Sequence, residues 1–176
     1  IDRMNIVKND NIEVIVVDNG SSENNRNLIE HYLSNREFET TYLYEKEEFN
    51  YSSMNNKAAK KATGEVLLLL NDDVEAFGCE WIKTMAAYAI KPSVGCVGCK
   101  LLYPTKLIQH VGIAGGIDGP AHKYLGERDD ERKGFGDNCH NRNVLAVTGA
   151  CLCVEKKKYE LQGDIGKRIK RGERIV

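Results

Sequence analysis

Apolar residues along this chain fall into two alternating rhythms. Ile12-Glu-Val-Ile-Val-Val-Asp18 is rich in β-branched residues and runs into Asp-Asn-Gly-Ser, as a buried strand does on entering a turn. A helix is expected next, with Ser21 or Ser22 as its cap and Leu28, Ile29, Tyr32 and Leu33 on one face. Thr41 to Tyr44 reads as a second strand. Ser52 or Ser53 can cap a second helix, in which Met54, Ala58, Ala59 and Ala62 form a narrow apolar stripe and Gly64 supplies the stop. Val66 to Leu70 follows without polar alternation, the pattern of a central strand covered on both faces.

The order strand, helix, strand, helix, strand predicts an α/β layer with a mostly parallel sheet, whose ligands gather at the carboxyl ends of the strands. Asp18 and the pair Asp72-Asp73 stand at two such ends. Farther on, Trp81, Met85 and Tyr88 predict another helix, stopped near Pro92, and Val94 to Tyr103 predicts one or two strands. Gly112 to Asn143 is rich in glycine and charge, too long for an ordinary connector, and reads as a substrate-covering loop region. Val144 to Val154 resumes strand character. Residues 1–164 are read as one domain, and residues 165–176, basic and without an apolar face, as a solvated or disordered tail.

A chain of 176 residues suffices for a single core that buries about two thirds of the unfolded surface. Its 25 Lys+Arg against 26 Asp+Glu leave a net charge of -1, so no overall field attracts a nucleic acid, and a small-molecule client is expected. The longest apolar run, Val66 to Leu70, is far too short to span a bilayer, and no leader pattern precedes it, which points to a soluble piece in a reducing cytoplasm. Cys96, Cys99, Cys151 and Cys153, with Cys139-His140 between, raise a zinc site, but only one pair has the usual gap. Small apolar cysteines in the core are the favoured reading. His110 and His122 flank a glycine-rich stretch and are open to a structural or a functional role. The glycines lack the Lys-Ser/Thr of a phosphate loop and the spacing of a dinucleotide fingerprint.

Asn71-Asp72-Asp73 directly after an apolar strand offers hard oxygen ligands to magnesium or manganese, cations that one or two carboxylates hold together with substrate phosphates. The alternative is a polar turn. Asp18 can accept hydrogen bonds from a base or ribose, or simply cap the Asn19-Gly20 turn.

Four blocks carry a family resemblance. They are Val16-Val-Asp-Asn-Gly-Ser-Ser22; Phe49-Asn-Tyr-Ser-Ser-Met-Asn-Asn56 with Ala62-Thr-Gly-Glu-Val-Leu-Leu-Leu-Leu-Asn-Asp-Asp73; Gln109-His-Val-Gly112; and Val147-Thr-Gly-Ala-Cys-Leu152. In order and spacing the chain resembles the family 2 glycosyltransferases of the GT-A fold, particularly bacterial polysaccharide and rhamnosyl-type members, from about Glu13 to about Tyr159. The resemblance implies a Rossmann-like sheet flanked by helices. It also implies a nucleotide-sugar-binding set of Asp18, Asn19, Asn56 and Asp72, with Asp18 on the base, and Asp73 as ligand to Mg2+ or Mn2+. Asn71 replaces the usual first carboxylate of the motif. The implied reaction is attack of an acceptor hydroxyl on the anomeric carbon of a nucleotide-diphosphate sugar, with inversion.

The family's catalytic Asp, beyond the Thr-Gly-Ala block, has no counterpart here except Asp164 in an unfamiliar setting, so the base is unassigned. Both ends of the domain are expected to be missing, which predicts a piece unable to turn over alone. The alternative function is a non-catalytic nucleotide-sugar-binding or interaction module; a nucleotidyltransferase would need a glycine-rich phosphate loop near its start. Implied partners are the sugar nucleotide and a glycan or lipid-linked acceptor. Cell-envelope synthesis at the inner face of the membrane, with peripheral association of the full-length protein, is the corresponding setting.

Overall fold

The computed structural model describes residues 11–116 and 119–162. Asp164 and the basic tail lie outside the described residues. The chain divides into two compact units: one takes in the chain up to Leu67, Ala76–Cys79 and the chain from Glu155; the other takes in Leu68–Glu75 and Glu80–Val154.

In the first unit, β1 (Glu13–Asp18) pairs in parallel with β2 (Glu39–Tyr44), in a register that runs from Glu13 opposite Glu39 to Asp18 opposite Tyr44. Helix α1 (Glu23–Ser34) makes the crossover that parallel pairing requires. Ser22 caps it by accepting from the Asn25 amide. Of its expected apolar face, Leu33 is buried, whereas Leu28 is 67% exposed.

Helix α2 (Tyr51–Lys61) starts earlier than either serine predicts. Its cap is Asn50, whose side chain accepts from the Ser53 amide at 2.9 Å. Its end does not depend on a left-handed Gly64. Ala62 turns extended, at φ -58 and ψ 138, and Glu13 Oε1 accepts from the Thr63 amide at 2.6 Å, the Thr63 hydroxyl at 2.9 Å and the Gly64 amide at 2.7 Å. A carboxylate on β1 thus does the work the sequence assigned to glycine. Short helix α4 (Lys156–Leu161), absent from the sequence reading, places Tyr159 in the core.

β3 (Val66–Leu70) begins in the first unit and ends in the second, with Leu67 and Leu69 buried and the other three half-buried. Helix α3 (Trp81–Ala89) buries Met85 and Ala89 and leaves Tyr88 exposed at the surface. β4 (Val97–Gly98) pairs antiparallel with β9 (Cys151–Glu155), and β9 lies between β3 and β4. The bonds flanking β3 and β9 join Glu65 to Lys156 and Asn71 to Ala150, low number to high, which is an antiparallel arrangement. β5 (Leu101–Leu102) and β6 (Ile108–His110) form one antiparallel pair, and β7 (Ile113–Gly116) and β8 (Gly119–His122) another.

The mostly parallel sheet expected from the strand-helix alternation is therefore found, among the described residues, only in β1 and β2. Two causes contribute: the insertion of β9 antiparallel between β3 and β4, and short turns between successive strands. Short turns such as the one between β5 and β6, where Lys106 sits at φ 64, can join only antiparallel neighbours. The stretch read as a long loop contains the β7–β8 hairpin, and residues 144–150 run beside it without forming a strand, apart from a bridge between Ala146 and Ile113. All six cysteines are free, with Cys151 and Cys153 buried.

Candidate functional site

Asp18 ends β1 and is 7% exposed. Gly20, at φ 97, lets the chain double back so that the Ser21 amide donates to Asp18 Oδ1 at 2.9 Å. Tyr42, two residues before Asp18's register partner Tyr44, donates its hydroxyl to Oδ2. Burial pushes the Asp18 carboxyl upward, but the bonds from Tyr42, Ser21 and Gly20 outweigh it and hold the group below its ordinary value. Tyr42 is pushed up to about 12, by burial and then by its bond to Asp18 and by that carboxylate's charge. Asp18 therefore does cap its turn. Each oxygen keeps acceptor capacity, since a carboxylate offers about four lone-pair sites.

Asn19 spends its amide nitrogen on the chain after β2, donating to Glu45 O at 3.3 Å and Glu47 O at 3.1 Å. Lys57 of α2 pairs with Glu45 and, at 3.0 Å, with Glu47, so strand ends and helix are tied by one network. Arg26 lies over the Tyr44 ring at 3.8 Å. Asn56 is buried, and its Oδ1 accepts from Tyr159 at 2.7 Å. The structure thus gives Asn19 and Asn56 tasks in holding the unit together. Tyr42, Lys57 and Tyr159 were missed by sequence reasoning; of these, only Tyr42 left a signal, its place within the strand read over Thr41 to Tyr44.

In the second unit, Asn71, Asp72 and Asp73 are exposed on a turn just after β3. The Asn71 amide donates to Ala150 O at 3.0 Å, which pins the start of the turn to the segment entering β9. Among the described residues no lysine or arginine pairs with Asp72 or Asp73. No three His, Cys, Asp or Glu side chains among the described residues form a metal cage by themselves. Two open carboxylates are nevertheless the donor set that a hard cation takes when substrate phosphates complete its shell. Asp18, Asn19 and Asn56 belong to the first unit, and Asp72 and Asp73 to the second.

No helix of the described residues is long and apolar enough to cross a membrane. The chain is 37% identical over 158 residues to the uncharacterized protein y4gI of Sinorhizobium fredii, covering 88% of this chain and 17% of that protein. It is also 37% identical over 161 residues to the O-antigen biosynthesis protein RfbC of Myxococcus xanthus, covering 89% of this chain and 12% of that protein. The chain thus spans less than a fifth of the length of these relatives. No solved structure matches it. The family model for glycosyl transferase family 2 matches residues 3–134, which takes in β1, the Asn71-Asp72-Asp73 turn and the β7–β8 hairpin, and the chain belongs to that family.

Proposed function

We propose that this chain is the nucleotide-sugar-binding core, of GT-A type, of a glycosyltransferase acting in bacterial polysaccharide synthesis. That enzyme transfers a sugar from a nucleotide-diphosphate donor to a glycan or lipid-linked acceptor, with inversion. The observation that carries the reading is the turn after β3: two exposed carboxylates, unpaired with any described lysine or arginine, on a backbone pinned by Asn71. Exposed and with no cationic partner among the described residues, these carboxylates keep their charge and lone pairs available to a hard cation. The printed name of the Myxococcus xanthus relative, an O-antigen biosynthesis protein, supports the polysaccharide setting.

In this reading Asp18, Asn19 and Asn56 bind the nucleotide, Asp72 contacts the donor's diphosphate end, and Asp73 ligates Mg2+ or Mn2+. Bound there, the cation supplies charge compensation for the departing nucleotide diphosphate. The residues of this chain hold and orient the donor, while the base that takes the acceptor proton is unassigned.

Calorimetric titration of uridine, guanosine and thymidine diphosphates, each with and without manganese, tests the proposal. Binding of at least one nucleotide that strengthens with manganese and is lost on chelation is expected; no binding of any, or binding indifferent to metal, overturns it. A longer chain that includes these residues, binds the donor and never transfers sugar to an acceptor glycan would favour the non-catalytic module instead.

A further inference from the structure

Within the second unit, an unbroken series of contacts joins the acidic turn to two histidines that the proposed reaction leaves unused. The Asn71 amide donates to Ala150 O at 3.0 Å, the Ala150 amide to Thr148 Oγ1 at 3.3 Å, and the Thr148 amide to His110 Nε2 at 3.3 Å. His110 Nδ1 lies 3.1 Å from His122 Nδ1, which is also 3.1 Å from Gln109 O.

The amide donor determines where the His110 proton sits. His110 Nε2 must be bare to accept from an amide, so the proton of this ring is on Nδ1. That N–H faces His122 Nδ1, which also lies 3.1 Å from Gln109 O; the two contacts ask for opposite protonation of the His122 nitrogen, and the His110 proton is assigned from its Nε2 alone. His110 is 1% exposed, and burial first and the neighbouring His122 second lower its pKa to about 4. It is neutral at physiological pH, and the acceptor at Nε2 persists.

The residues leading into the turn are seated by the Ala146 carbonyl, which accepts from the Ile113 amide at 2.9 Å, and by packing. Val147 sits where a Cβ on Gly98 would be, 2.6 Å from its own Cβ, and Val144 fills the same space over Gly112 at 2.4 Å. Neither contact directs a hydrogen bond, so neither determines where Ala150 O points. That direction is set from both sides, by the β3–β9 pairing that Ala150 flanks and by the turn Thr148–Ala150.

We propose that His110 is a positioning residue: its Nε2 anchors the Thr148–Ala150 turn, whose carbonyl in turn sets the backbone from which Asp72 and Asp73 project. The consequence for metal binding rests on the proposed function above; the structural anchor does not.

Hydrogen exchange of the protein and two polar variants separates these. In His110→Gln, Oε1 reaches the place of Nε2 and can accept from Thr148. In His110→Asn the shorter side chain keeps a group near Nδ1 only. The Asn variant is expected to exchange about tenfold faster at the Thr148 and Asn71 amides, with the β4–β9 amides unchanged, and the Gln variant to match wild type. Manganese-dependent affinity for a nucleoside diphosphate is expected to fall about tenfold in the Asn variant and to survive in the Gln variant. Equal exchange in the two variants, or acceleration spread evenly over β4–β9, overturns the anchor. Should the Asn variant not fold, Thr148→Ala removes the next link, and unchanged exchange at Asn71 is then the overturning result. A wild-type protein that binds no manganese nucleotide sinks the proposed function, while the exchange result still decides the anchor.

Discussion

A carboxylate held at both oxygens and one open to water respond differently to substitution. Asp73 is exposed, with no cationic partner among the described residues, so Asp73→Asn is expected to change stability by no more than about 0.5 kcal/mol. The same change removes a charged metal ligand, and manganese-dependent nucleotide affinity is expected to drop at least about tenfold. Urea denaturation and calorimetry on one preparation check both halves; unchanged affinity would exclude Asp73 as a ligand. Asp18 is the opposite case, buried and hydrogen-bonded by Tyr42 and Ser21. Tyr42→Phe leaves one carboxylate oxygen without that donor, at a cost of about 1–2 kcal/mol in urea denaturation, and the Asp18 titration followed by NMR moves upward. The aspartates themselves were visible in the sequence from their place after apolar runs. Their difference in environment was legible only in part, because the Ser21 donor is local to Asp18 whereas Tyr42 lies 24 positions away.

Between elements, the decisive contacts are where one element ends on another. Helix α2 stops where Glu13 of β1 takes the Thr63 and Gly64 amides. Glu13→Ala is therefore expected to cost about 1–2 kcal/mol, most of it from two amides left without their charged acceptor, discounted for their partial exposure. Gly64→Ala is expected to cost less, since its Cβ would meet only ordinary contacts, the nearest at 3.5 Å from Glu13. Thermal melts of the two variants give the order, and a larger loss for Gly64→Ala would restore glycine as the stop. At β4, Gly98→Ala sets a Cβ 2.6 Å from Val147 Cβ, which cannot be relieved by rotating a side chain, and a loss of about 1–3 kcal/mol is expected. Combining it with Val147→Gly should recover part of that loss, as coupled neighbours do. Additive losses in the double variant would mean that the two residues do not compete for this space.

Across the whole molecule, acid acts in one direction. Glu13 and Asp18 are held below their ordinary values in the fold, so their stabilising bonds are present at neutral pH and are lost as pH falls through those lowered values. His110 adds to this from higher pH. Its pKa falls from 6.5 to about 4, so below 6.5 the unfolded chain binds a proton the folded one refuses, and stability declines toward pH 4. Denaturation midpoints are expected to fall steadily between pH 7 and pH 4, with His110→Gln flattening the upper part of the slope. A midpoint that rises on acidification would contradict the buried neutral histidine.

Much of this protein follows from local rules acting on its sequence. The β-branched runs, the helix-compatible stretches, the cap at Ser22 and the acidic turn after Val66–Leu70 are each specified within a few residues, because propensity, capping and strand ends are short-range effects. The blocks that mark the family are legible for the same reason. What the tertiary structure decided is pairing and partnership: β9 inserted antiparallel between β3 and β4, Glu13 on the end of α2, Tyr42 on Asp18, and Ala150 O under Asn71. These join residues distant in the chain, and a hydrogen-bond donor or an open sheet edge carries no local mark of which remote group will meet it.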